Sequence, residues 1–197
     1  MNDLDPTAAA LPLGACTDDP EAVLSAAVVL VPEAEPVVGV TRARYDRSGR
    51  WGVPAHVTVL FPFVPPTEQT PEVYAALDAA LAVIPPFPAR FERTAWFGED
   101  VVYLAPEPDA DFRRLLAAVQ AAFPAHPAYG GAFDDVVPHL TVADLGTLAR
   151  RQQAQQQAQG GLPITSRVAA VHVIAGRREA GSWRIVHVAP LGGAGIG

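Results

Sequence analysis

The chain has 197 residues, half of them hydrophobic and 18% charged, with a formal net charge of -7. That length and apolar content suffice for one domain, or for one domain made of two similar lobes, with a real core. The acidic balance argues against a broad, non-specific binder of polyanions, while one focused positive site on an acidic body remains compatible with a nucleotide or an RNA end.

Residues 1–20 are rich in Ala, Asp and Pro without periodicity and read as a flexible arm, so the folded domain is expected over 21–191. Ala26–Val31 is a short β-branched run, expected as a buried strand. Glu33–Tyr45 reads as a helix, because Pro36 falls in its first turn where proline is tolerated. Asp46–Pro54 is punctuated as a loop, His56–Phe61 is a strand stopped by Pro62, Pro65 and Pro66, and Pro71–Val83 is a helix that opens on proline. Phe91–Phe97 and Val101–Leu104 form a hairpin around Gly98-Glu99-Asp100. Asp109–Phe123 is an amphipathic helix with an acidic first turn. A long Pro/Gly loop leads to the strand His139–Val142. Leu145–Gln159 is helical, with a glutamine-rich, exposed end. Arg167–Ala175 and Trp183–Ala189 pair as a last hairpin, and 192–197 is a flexible glycine-rich tail. Seven strands interleaved with four helices predict an α+β fold with antiparallel sheets. No glycine-rich phosphate loop follows the first strand.

Other features narrow the class. All 14 basic residues are Arg, so any phosphate contact by a basic side chain comes from Arg or His. Cys16 is the sole cysteine, which leaves no internal disulfide and no multi-Cys metal site. No run approaches the roughly 18 apolar residues of a membrane span, and the acidic N-terminus lacks the basic region of a signal peptide. The expectation is a soluble, cytoplasmic protein with no membrane and no protein partner.

One short pattern occurs twice: Ala55-His56-Val57-Thr58-Val59 and Pro138-His139-Leu140-Thr141-Val142. In a strand, residues i and i+2 share a face and lie about 6.5–7 Å apart. His56 and Thr58 therefore share one face, with Val57 and Val59 on the other, and His139 and Thr141 are set against Leu140 and Val142 in the same way. If the two strands face each other, two imidazoles and two hydroxyls converge on one cleft. That set suits phosphoryl transfer. A neutral His takes a proton from the attacking group, a protonated His gives one to the leaving oxygen, and the hydroxyls donate to phosphate oxygens. Either His fits either role, and no metal or cofactor is required.

The sequence resembles the 2H phosphoesterase superfamily, near its 2'-5' RNA ligase and cyclic nucleotide phosphodiesterase branch. The resemblance is carried by Pro54-Ala-His-Val-Thr-Val-Leu-Phe-Pro-Phe63 and Pro138-His-Leu-Thr-Val142. It implies two pseudo-two-fold related lobes around a central cleft. It also implies opening of 2',3'-cyclic phosphates, or cleavage of 2'-5' linkages, in nucleotides or RNA ends. His56 and His139 are then the catalytic pair, and Thr58 and Thr141 bind substrate. A cleft that binds a nucleotide without turnover is an alternative, as is RNA ligation in the reverse direction.

The remaining candidates have a second, structural reading. Arg42, Arg44, Arg47 and Arg50 either steer an anion or form a solvated face. Tyr45, Trp51 and Tyr129 either stack on a base or, as favoured here, pack their loops. Phe61 and Phe63 are expected to close the core below the first motif. A turn near Ala180 would set His172 opposite His187, with structure favoured over a metal pair, since no third ligand has suitable spacing. Asp134 or Asp135 could orient an imidazole, and His126 looks incidental.

Overall fold

The structure, a computed structural model, describes residues 21–192. The arm expected over 1–20 and all but the first residue of the expected tail lie outside the described residues. Among the described residues, eight strands form two antiparallel four-stranded sheets. The first sheet contains β1 (Leu24–Leu30), β2 (His56–Leu60), β7 (Ala170–Gly176) and β8 (Arg184–Pro190), in the order β2-β1-β7-β8. The second contains β3 (Phe87–Phe97), β4 (Val101–Pro106), β5 (Leu140–Ala143) and β6 (Ile164–Val168), in the order β5-β4-β3-β6. Each motif belongs to an edge strand, β2 or β5, and these two edges lie in contact.

The expected strand Arg167–Ala175 is in fact two strands of different sheets. β6 pairs with β3, and β7 pairs with β1 and β8. The break falls at Ala169, whose carbonyl accepts the Leu191 N–H at 2.8 Å as the chain crosses between sheets. Apolar alternation alone does not reveal such a crossing, because both strands carry β-branched residues.

The helices are α1 (Glu35–Tyr45), α2 (Arg47–Arg50), α3 (Pro71–Leu81), α4 (Ala110–Ala122) and α5 (Leu148–Gln159). α1 begins with proline in its first turn, as the sequence suggests. α2 is a single turn inside the segment expected as loop. Its first turn is capped by the Asp46 carboxylate, which accepts from the Ser48 and Gly49 N–H groups; a side-chain acceptor there satisfies donors that a helix start leaves open.

The packing crosses between the lobes. α1 links two strands of the first sheet yet packs on β5 and α5, while α4 links two strands of the second sheet yet packs on β2 and α3. One continuous apolar core results, running from Val29, Val57 and Val173 through Leu77, Phe87, Leu104, Leu115 and Leu140. Each such side chain contributes about 1.5–3 kcal/mol when fully buried. Val57, Val59, Leu140 and Val142 all point into this core, as their alternation with the motif residues requires. Among the described residues, no helix is long and apolar enough to cross a membrane.

Candidate active site

A cleft of about 450 Å³ is lined by His56, Thr58, His139 and Thr141 together. All four residues singled out by the repeated pattern are thus brought to one place. The two imidazoles are held alike. His56 Nδ1 lies 2.7 Å from the Pro54 carbonyl oxygen, and His139 Nδ1 lies 2.7 Å from that of Val137. A carbonyl oxygen only accepts, so each Nδ1 carries the proton and donates it. Each Nε2 is left with no protein hydrogen bond among the described residues. Asp135, considered as an orienting carboxylate, instead pairs with Arg113 at 2.6 Å. The backbone two residues before each His supplies that contact.

Burial is the main force on both rings. It pushes His56 down to about 4, helped by the Arg42 cation and by His139 when charged, and opposed by the Pro54 hydrogen bond and the Asp46 carboxylate. Burial also lowers His139, against the Val137 hydrogen bond and Asp46. His139 further packs edge-on against Phe97 and Tyr103, at ring-centre distances of 4.9 and 5.5 Å. Both imidazoles are therefore mainly neutral at pH 7.

Of the four early arginines, Arg42 is not on the rim. It is 2% exposed and forks into the structure behind the site. Its Nε donates to the Thr141 carbonyl at 3.0 Å, and one terminal nitrogen donates to the Val53 carbonyl at 3.2 Å. The other meets Ser48 Oγ at 3.0 Å and the Asp46 carboxylate at 2.7 Å. One guanidinium thus ties the second motif to the segment leading into the first. Arg47 lines the cleft mouth, Arg50 lies just beyond it, and Arg44 faces a separate hollow beside α5.

Two of the three weighed aromatics reach the cleft, against the expectation that they only pack loops. Trp51 lines it and stacks nearly parallel on Trp183, 11° between planes and 6.3 Å between ring centres. Tyr129 lines it with its hydroxyl hydrogen-bonded to Thr58, and burial raises its phenol. The Tyr129 N–H donates to the Phe61 carbonyl at 2.6 Å, and its backbone is left-handed at φ 52°. That region is uncommon for a residue with a side chain, and such strain collects at functional sites. Tyr45 packs against the core instead. Phe63 joins the core as expected, but Phe61 faces the cleft.

His172 and His187 are not opposite each other. His172 pairs with Val188 and His187 with Val173. That offset of one residue sends the two rings to opposite faces. His187 stacks on Tyr74 and lies 2.7 Å from Asp78, fastening α3 to β8. His172 shares the ladder row of Thr58 through Val28 but does not line the cleft. Among the described residues, no three His, Cys, Asp or Glu side chains gather as a metal-binding group. Sequence reading missed Asp46, Trp183 and Arg178 as parts of the cleft wall. Asp46 alone carried a signal, an Asp two and three residues ahead of Ser-Gly at a helix start.

The profile of the 2'-5' RNA ligase superfamily matches residues 30–180, a span that holds both motifs. Among solved structures, TT0787 of Thermus thermophilus is similar with a TM-score of 0.60 and 18% identity, over 87% of this chain and 99% of its own. E. coli LigT complexed with 3'-AMP gives 0.56 and 16%, over 87% and 99%. LigT complexed with NADP+ gives 0.53 and 17%, over 87% and 98%. No curated protein sequence matches the chain. At these identities the structural likeness speaks for the two-sheet fold, while the profile spans most of the sequence and both halves of the cleft. The chain belongs to the 2'-5' RNA ligase superfamily, the phosphoesterases and ligases already suggested by its paired His-x-Thr strands.

Proposed function

We propose that this protein opens 2',3'-cyclic phosphates of nucleotides or RNA ends, or cleaves related 2'-5' linkages, with His56 and His139 as its proton-transfer pair. The observation that carries this reading is the matched fixing of the two rings. Each Nδ1 is committed to a backbone carbonyl, and each Nε2 has no protein partner among the described residues, in a cleft that also holds Thr58 and Thr141. LigT is seen with 3'-AMP, and a ribose monophosphate is the kind of product such an opening leaves.

A bound phosphodiester brings a negative charge that favours protonation of one ring. The Asp46 carboxylate favours this at both rings, but the Arg42 cation opposes it at His56. His139 is therefore the acid and His56 the base. A water on the His56 side gives its proton to Nε2 as its oxygen bonds to phosphorus. The ribose oxygen leaves as its bond to phosphorus breaks, taking the proton of His139 Nε2. Thr58 and Thr141 donate to the non-bridging oxygens, each bond to a charged group contributing about 1.5–3 kcal/mol. Each positioned proton transfer supplies roughly 10²–10⁴-fold.

Turnover of a 2',3'-cyclic nucleotide panel in EDTA tests this, with wild type beside His56→Ala and His139→Ala and melting curves to verify folding. Wild type should give a nucleoside monophosphate, and kcat should fall about 10²–10⁴-fold in each variant. Unchanged turnover in both variants would overturn the assignment. Tight binding of intact cyclic nucleotide, with no product from wild type, would favour a binding module.

A further inference from the structure

A second hollow of about 370 Å³ opens beside the cleft and shares Arg47, Trp51 and Arg178 with it. Arg50 and Leu145 complete its lining. Three arginines from two separate segments thus surround one small space, on a protein whose net charge is -7. Among the described residues, Arg50 and Arg178 have no carboxylate within ion-pair distance, and Arg47 reaches Asp144 only at 4.0 Å. Adjacent Arg177 differs, because it is paired with Glu21 and Glu179.

The segments that carry these cations are fixed. α2 is capped by Asp46, which is itself locked to Arg42. The turn between β7 and β8 is closed by Ser182, whose Oγ accepts the Arg177 N–H at 3.0 Å and donates to the Glu179 carbonyl at 2.8 Å. That turn is tied to the first segment by the Gly181 N–H on the Trp51 carbonyl at 3.2 Å, and by the stacked Trp51 and Trp183 rings. Three guanidiniums on a braced frame, two of them with no carboxylate partner among the described residues and the third only loosely paired, match a phosphate, which takes guanidinium forks in two-point hydrogen bonds. The Trp51 face between hollow and cleft offers a surface for a sugar or a base.

We infer that the Arg47, Arg50 and Arg178 hollow binds a second phosphate group of the substrate, on the ribose whose cyclic phosphate is opened or one linkage away. The inference rests on the reading of the cleft as a cyclic phosphodiesterase site, and it specifies the substrate class: a molecule with two phosphates. That second phosphate is either a terminal 5'-phosphate or the internucleotide phosphate of an RNA end.

The test compares kcat/KM for adenosine 2',3'-cyclic phosphate, its 5'-phosphorylated form, and a dinucleotide ending in the cyclic phosphate. Calorimetry with adenosine 3'-monophosphate and adenosine 3',5'-bisphosphate gives a readout that needs no turnover. The extra phosphate should improve kcat/KM and Kd about 10-fold or more in wild type. That ratio should fall toward one in Arg50→Ala/Arg178→Ala. A gain with the 5'-phosphorylated nucleotide alone identifies a terminal phosphate, and a gain with the dinucleotide identifies an internucleotide one. Absence of any gain in wild type, or a gain that survives in the double variant, overturns the inference even if the cyclic phosphate is opened. A bisphosphate gain without turnover of any substrate leaves the subsite standing and removes the proposed activity.

Discussion

Arg42 is the residue on which the two motifs meet. Its guanidinium bonds the Thr141 carbonyl, the Val53 carbonyl and Ser48, and pairs with an Asp46 carboxylate that is as deeply buried. Removing one partner of a buried pair leaves the other charge uncompensated, which typically costs about 3–5 kcal/mol. Arg42→Ala should therefore lose that much in urea unfolding. Arg42→Met with Asp46→Asn should recover part of it, since Asn still caps α2 and the more deeply buried of the two carboxylates paired with Arg42 no longer carries a charge. A loss below about 1 kcal/mol for Arg42→Ala would show that the pair braces nothing. This role was only half legible in the sequence, where Arg42 stood beside Arg44, Arg47 and Arg50 as one basic cluster. Helical phase separates them, because Arg42 lies four residues after Val38 and three before Tyr45, both of which pack inward. His56, Thr58, His139 and Thr141 were legible because a two-residue repeat fixes which side chains share a face. That Nδ1 is held by the chain's own backbone was not, since this depends on the turn before each strand.

At the scale of elements, α5 departs most from its expected character. Its glutamine-rich sequence suggests a solvated helix, yet Ala154 and Ala158 are buried four residues apart. The glutamines beside them are also engaged. Gln155 and Gln159 donate to Thr94 Oγ1 at 3.0 and 3.1 Å, and Gln157 accepts from Thr41 at 3.2 Å. Alanine on the inner stripe lets α5 approach β3 and β4 closely, a contact that hydrophobic periodicity does not register because alanine is common on both faces. Ala158→Leu should therefore overpack this contact and lose about 1–3 kcal/mol. Gln156→Leu, on the exposed side, should stay within about 0.5 kcal/mol. Equal melting temperatures for the two variants would contradict the packing described. The division of the Arg167–Ala175 run into β6 and β7 escaped the sequence for a related reason. Both pieces have the composition of strands, and only their different partners separate them.

For the whole molecule, two lobes with crossed helices place the motifs together, and the site inherits the desolvation of the shared core. The pairing of the lobes was legible from the repeated motif, but the cleft wall was not. Trp51 and Trp183 meet only because β7 returns beside β1, and no local pattern specifies that return. Desolvation has a global consequence. Histidine in the unfolded chain titrates near 6.5, whereas the folded protein holds His56 at about 4 and holds His139 and His172 below their usual value. Between those limits the unfolded chain binds more protons than the folded one, so stability rises with pH across the window. It is full above about 6.5 and is lost as pH falls toward the folded values. Carboxylates titrate mainly lower, so the interval from about pH 6.5 to 5 isolates the histidines. Urea unfolding of the wild type should lose on the order of 2 kcal/mol over that interval, allowing for the contact of the rings with cleft water. His56→Asn/His139→Asn keeps polar side chains but has nothing to protonate there, and should lose less than half as much. Since His172 remains in that variant, a residual slope is expected. Parallel curves for the two proteins would mean that the cleft histidines do not carry the acid sensitivity, and that their burial exerts less force on their protonation than the geometry of the site implies.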